Sequence, residues 1–181
     1  MADVLIRRSL PGVATDGDDD PMLPAELITD IDHVGVAVQD LDAAVSFYAE
    51  RFGFEVVHEE VNEEQGVREV MLAVGTSGAR LQLLAPLTSQ SAVARFLDRS
   101  GPGLQQLAYR VTSIDAAMEA VRSAGMRLLY DAPRRGTAGS RINFIHPKDA
   151  GGVLVELVEP RASAPATVTG TPAAGRTTPE G

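Results

Sequence analysis

Four polar residues stand in otherwise apolar stretches at positions that recur along the chain: His33, Gln82, Gln106 and Glu156. Asp32-His33-Val34-Gly35-Val36-Ala37-Val38, followed by Leu41-Asp42-Ala43-Ala44, returns as Gln105-Gln106-Leu107-Ala108-Tyr109-Arg110-Val111, followed by Ile114-Asp115-Ala116-Ala117. Leu81-Gln82-Leu83-Leu84-Ala85-Pro86 returns as Val155-Glu156-Leu157-Val158-Glu159-Pro160. His33 therefore corresponds to Gln106 at an offset of 73, and Gln82 to Glu156 at an offset of 74. Burying such groups unpaired costs a few kcal/mol each, so each needs a partner. Local hydrogen bonds would serve any one of them. A single divalent cation would serve all four, because two copies of one module folded face to face bring the four side chains to one centre.

Glu69 is a fifth candidate. It lies in Val67-Arg68-Glu69-Val70-Met71-Leu72, apolar on both sides of the carboxylate. Facing outward, it would pair with Arg68 or Arg80. Facing inward, it would be a desolvated carboxylate with a raised pKa, suited to taking protons near neutral pH.

The elements that must position these groups follow from period and punctuation. Ile31 to Val38 reads as a strand, Asp40 as the N-cap of a helix through Phe52, and Gly53 as its stop. Phe54–Glu60, Val67–Val74 and Arg80–Leu84 read as three further strands. The second half repeats the order, with strands at Leu104–Val111, Arg127–Tyr130, Arg141–Phe144 and Val153–Val158. Ser113 caps its helix, and Ser91–Arg99 forms a linking helix between the halves. The unit is βαβββ, used twice, in modules of about 30–90 and 103–160. The fold class is α+β: eight strands in one curved mixed sheet around a central cleft. Residues 1–27, with their run Asp16-Gly17-Asp18-Asp19-Asp20, and the Ala/Pro/Thr/Gly-rich residues 161–181 read as disordered tails.

Composition narrows the function. A net charge of −9 argues against nucleic acid and anionic membranes, which want a basic face. The absence of cysteine excludes disulfides, thiolate metal sites and a cysteine nucleophile. No apolar run is long enough to cross a membrane, and a cytoplasmic protein is expected. Of the remaining histidines, His58 sits among Glu59 and Glu60 and is expected to be exposed. His146, before Pro147, reads as structural.

Asp32-His33-Val34-Gly35, Asn62 through Glu69, Leu129 through Gly136 and Ser140 through Lys148 resemble the methylmalonyl-CoA epimerase family. That family lies within the vicinal oxygen chelate superfamily, beside glyoxalase I and the extradiol dioxygenases. The resemblance covers about 130 residues, all but the tails. It implies metal ligands at His33, Gln82, Gln106 and Glu156, and acid/base carboxylates at Glu69 and Glu156. It also implies an acyl-CoA substrate epimerised at C2 through a metal-stabilised enolate, in a homodimer. The chain departs from the family at Gln106, where the family typically has the second of two histidines. Cobalt is the metal by resemblance. The largely oxygen donor set of this chain points to magnesium or manganese as well. Arg134, Arg135, Arg141 and Lys148 lie in one stretch and are the candidates for binding the phosphates of coenzyme A, the alternative being a solvated basic loop that balances the acidic chain.

Other classes on the same scaffold stay open. A dioxygenase needs two histidines and a carboxylate, and this set has one histidine. A metal-free binding or resistance protein is favoured by the loss of a ligand at Gln106 and opposed by Glu69. Another lyase or isomerase on this fold is the remaining alternative.

Overall fold

The computed structural model describes residues 23, 24 and 26–161. The sequence readings on the N-terminal aspartate run and on 162–181 lie outside the described residues. The first module comprises β1 (Ile28–Ala37), α1 (Leu41–Phe52), β2 (Glu55–Asn62), β3 (Val67–Val74) and β4 (Ala79–Pro86). A linking helix, α2 (Ala92–Ser100), leads to the second module: β5 (Gly103–Val111), α3 (Ile114–Ser123), β6 (Arg134–Arg135), β7 (Arg141–Ile145) and β8 (Val155–Glu159). The eight strands form one mixed sheet in the order β2-β3-β4-β1-β5-β8-β7-β6. β1 and β5 meet antiparallel at the centre, and each pairs in parallel with the last strand of its own module.

Each helix begins where a side chain takes over an orphaned N–H. Asp40, Ser91 and Ser113 accept from Ala43, Ala94 and Ala116, a contribution of about 1 kcal/mol apiece. Gly53 closes α1 with φ 68°, a left-handed conformation that a residue with a Cβ disfavours.

The period of two along the strands separates two faces. On one face, Val70, Leu72, Leu83 and Ala85 pack against Leu41 of α1, while Val111, Val155 and Leu157 pack against Ile114, Ala117, Met118 and Val121 of α3. The intervening residues, His33, Glu69, Gln82, Gln106 and Glu156, therefore turn to the opposite, cleft-lining face, where all five are buried.

One element differs from expectation. Arg127–Tyr130 is not a strand and makes only a single bridge, Leu128 to Ile145. The Asn143 side chain accounts for the difference. Its Oδ1 takes the Tyr130 N–H at 3.2 Å and its Nδ2 donates to the Tyr130 carbonyl at 2.9 Å, so a side chain serves both Tyr130 backbone groups. Pro133, without an N–H, lies just beyond. The short pairing of Arg134 with Ile142 and Arg135 with Arg141 takes the place of that strand.

Candidate functional site

Small residues make the floor of the site. In the sheet, Gly35 lies between Gln82 on β4 and Gln106 on β5, and Ala108 lies between His33 on β1 and Glu156 on β8. Gly35 and Ala108 are themselves repeat-related, so the two modules form one floor with the long polar side chains at its sides. A Cβ on Gly35 would stand 2.5 Å from Cγ of Gln106, closer than packing permits.

Over this floor the polar groups form one connected chain. The Glu156 carboxylate lies 3.2 Å from His33 Nε2 and accepts from Gln106 Nε2 at 2.5 Å. Gln106 Nε2 also reaches Gln82 Oε1 at 3.4 Å. Gln82 Nε2 donates to Glu69 at 3.0 Å and to the Thr137 hydroxyl at 2.8 Å, and that hydroxyl donates to the other Glu69 oxygen at 2.8 Å. Two cavities border the chain. One of about 370 Å³ is lined by Leu84, Gln106, Tyr130 and Phe144, and one of about 360 Å³ by His33, Met71, Thr137 and Glu156.

Asp32 fixes the histidine. It is 4 % exposed, accepts from His33 Nδ1 at 3.0 Å, and is gripped by Arg80 at 2.9 Å and by Arg110 at 2.9 Å. Burial alone would raise its pKa. The hydrogen bonds from His33 and Arg110 and the Arg80 charge outweigh it and hold the carboxyl at about 2. With Nδ1 committed to Asp32, Nε2 faces the cleft. Burial disfavours the imidazolium, but Asp32 and Glu156 together overcome it and push His33 up to about 9. Glu69 is pushed up to about 7, chiefly by burial, with the Thr137 hydrogen bond opposing and the charges of Glu60 and Glu156 adding to it. The carboxylate that had two possible faces points inward.

The donor set fits a cation. His33 Nε2 is buried with no aligned hydrogen-bond partner, and the carboxylate oxygen beside it supplies negative charge. A carboxylate hydrogen-bonded to the far nitrogen is the usual outer support of a ligating imidazole. Gln82 and Gln106 complete a set of one nitrogen and three oxygens, provided the Gln106 amide turns its oxygen inward, an exchange of two isosteric atoms. Among the described residues no group of three His, Cys, Asp or Glu is placed to hold a metal ion, so the amides are essential to any such site.

The basic residues read from the sequence divide. Arg134 and Arg135 reach the rim of the cleft, where Arg134 pairs with Glu64 at 3.0 Å and lies over the Tyr130 ring, and Arg135 stands 3.5 Å from Glu60. Arg141 is instead held by Asp115 of α3 at 2.9 Å and by Glu159 at 3.1 Å. Lys148 is exposed on the turn after His146, whose Nδ1 accepts the Lys148 N–H at 3.1 Å. His58, expected at the surface, is half-buried, lines the smaller cavity and bonds Glu60 at 2.7 Å. Sequence reasoning missed Asp32, Arg80, Arg110 and Thr137 as supports. Thr137 follows a stretch that resembles the epimerases, and that was its only signal.

The chain belongs to the glyoxalase/bleomycin resistance protein/dioxygenase superfamily, whose family profile matches residues 32–144. Within it the chain is a member of the methylmalonyl-CoA epimerase family. It is 38% identical over 128 residues to the mitochondrial methylmalonyl-CoA epimerase of Mus musculus, covering 70% of this chain and 71% of that one. The crystal structure of methylmalonyl-CoA epimerase from Mycobacterium tuberculosis shares 58% identity at a TM-score of 0.74, over 77% of this chain and 93% of that one. A variant of the Streptomyces coelicolor methylmalonyl-CoA epimerase, in complex with 2-nitronate-propionyl-CoA, shares 52% identity at a TM-score of 0.72, over 75% and 96%.

Proposed function

We propose that the protein interconverts the R and S forms of methylmalonyl-CoA by removing the C2 proton on one face and returning a proton on the other. The observation that carries this reading is the pair Glu69 and Glu156, buried carboxylates from different modules joined across the floor by two amides. C2 of the substrate lies between a thioester and a carboxylate, which acidify its proton without making it labile to an ordinary carboxylate. A carboxylate pushed up to about 7 is a stronger base than a free one and is still ionised in useful amount at neutral pH. Inversion requires a second group opposite the first, and Glu156, from the other module, is the candidate. The planar anion between the two steps has a counterpart among the relatives. The nitronate of the Streptomyces coelicolor complex is likewise a flat anion bearing two oxygens.

His33, Gln82, Gln106 and Glu156 would hold a divalent ion, which when bound would supply stabilisation of negative charge developing on the thioester oxygen. His33 is oriented for that task by Asp32, and Glu156 serves both the ion and the proton. Cobalt follows from resemblance, and magnesium or manganese from the oxygen-rich donors. Arg134 and Arg135, joined at the rim by Arg161, are the proposed contacts for the phosphates of coenzyme A. Arg141 lines the same surface but is held by Asp115 and Glu159, and Lys148 stands apart on the turn after His146. A homodimer is part of the proposal, supported by an apolar groove along exposed Leu104, Leu129 and Val153. Among the described residues no helix is long and apolar enough to cross a membrane.

The test is isotope exchange. Metal-supplemented protein in deuterium oxide is expected to wash label into C2 of methylmalonyl-CoA, and a rate equal to the protein-free control would reject the reading.

A further inference from the structure

Thr137, the hydroxyl that touches both Glu69 and Gln82, comes from the second module and crosses to the first. It sits on the tight turn Thr137–Gly139. The next residue, Ala138, has φ 54°, the one non-glycine residue with positive φ among those described. A residue with a Cβ is held there only when its surroundings over-determine it. The partner that does so is Glu60 on β2, an edge strand of the sheet. Glu60 Oε2 accepts the Ala138 N–H at 3.1 Å and the His58 Nε2–H at 2.7 Å, while Arg135 lies 3.5 Å from Oε1. In the β2–β3 register Glu60 stands directly opposite Glu69.

We propose that Glu60 is a positioning residue. Its carboxylate clasps the Ala138 amide, docks the 137–139 turn onto edge strand β2, and thereby keeps the Thr137 hydroxyl on Glu69. His58 holds Glu60 in the orientation that accepts from Ala138. The inference rests on the reading of Glu69 as the base, and goes beyond it by assigning Glu60 and His58 a part in the site. Glu60 is not a second base: although burial opposes ionisation, His58, Ala138 and Arg135 together hold it below the usual carboxylate range. Its negative charge also favours the protonated form of Glu69, so a test must separate the charge from the clasp.

Glu60→Ala removes both, whereas Glu60→Gln removes the charge and keeps an oxygen for the Ala138 N–H. Hydrogen exchange of the Ala138 amide, read by NMR, is expected to be slow in the unaltered protein. It should be at least about tenfold faster in Glu60→Ala and within about threefold of the original in Glu60→Gln. Epimerisation should follow the same order: kcat at least about tenfold lower in Glu60→Ala, KM within about threefold, and most of kcat regained in Glu60→Gln. Unchanged Ala138 exchange in Glu60→Ala, or Glu60→Gln falling as far as Glu60→Ala in both readouts, would overturn the clasp. If the unaltered protein fails to epimerise, the functional reading falls while the amide exchange still decides the clasp.

Discussion

Glu69 carries a burial cost that its neighbours do not remove. It is 3 % exposed and its one close donors' pair, Thr137 and Gln82, is neutral. With the folded pKa raised from 4.5 to about 7, the native state holds on to a proton that the unfolded chain has released. Stability linked to this group is fully present below pH 4.5, declines as pH rises, and by pH 8 is lower by about 3 kcal/mol. Glu69→Gln, neutral at every pH, should therefore melt higher than the metal-free parent at pH 8, with the gap closing towards pH 5. A constant gap across that range would mean that Glu69 does not titrate as described. The sequence left this residue undecided for a physical reason: Val67 and Met71 on its own face and Val70 and Leu72 on the other are all buried, so alternation alone could not tell an outward-facing from an inward-facing carboxylate. The supports around Asp32 were hidden differently, since Arg80 and Arg110 lie 48 and 78 positions away.

At the scale of elements, the helices and central strands were legible because their signals are local. Asp40, Ser91 and Ser113 cap where their side chains predict, and Gly53 stops α1 where a left-handed residue is needed. The segment Arg127–Tyr130 was misread because β-favouring side chains do not guarantee a ladder partner when Asn143 intercepts the Tyr130 backbone. The strand pairing also explains why β1 carries glycine in the middle of its most buried stretch. Gly35→Ala would drive a methyl into Gln106 and should cost about 1–3 kcal/mol in urea denaturation, the penalty of overpacking. Displacing Gln106 should weaken the cobalt titration in the same variant. Unaltered denaturation and titration together would show that the floor needs no glycine.

For the whole molecule, the internal repeat made the architecture readable, because two βαβββ copies can bury their faces as one sheet with their modules joined at β1 and β5. The same repeat placed four polar side chains at one centre and the two carboxylates on opposite modules. What the repeat could not disclose is where it is broken. The turn carrying Thr137 and its clasp to Glu60 have no counterpart in the first module, and they join residues 68 and 78 positions apart. The central claim is that each module contributes one of two bases serving opposite faces of C2. Its most direct test follows single enantiomers of methylmalonyl-CoA in deuterium oxide with Glu69→Gln. The account predicts that inversion falls by about 10²–10⁴-fold while one enantiomer still exchanges its C2 proton without inverting. Inversion of both enantiomers at the parental rate would contradict it.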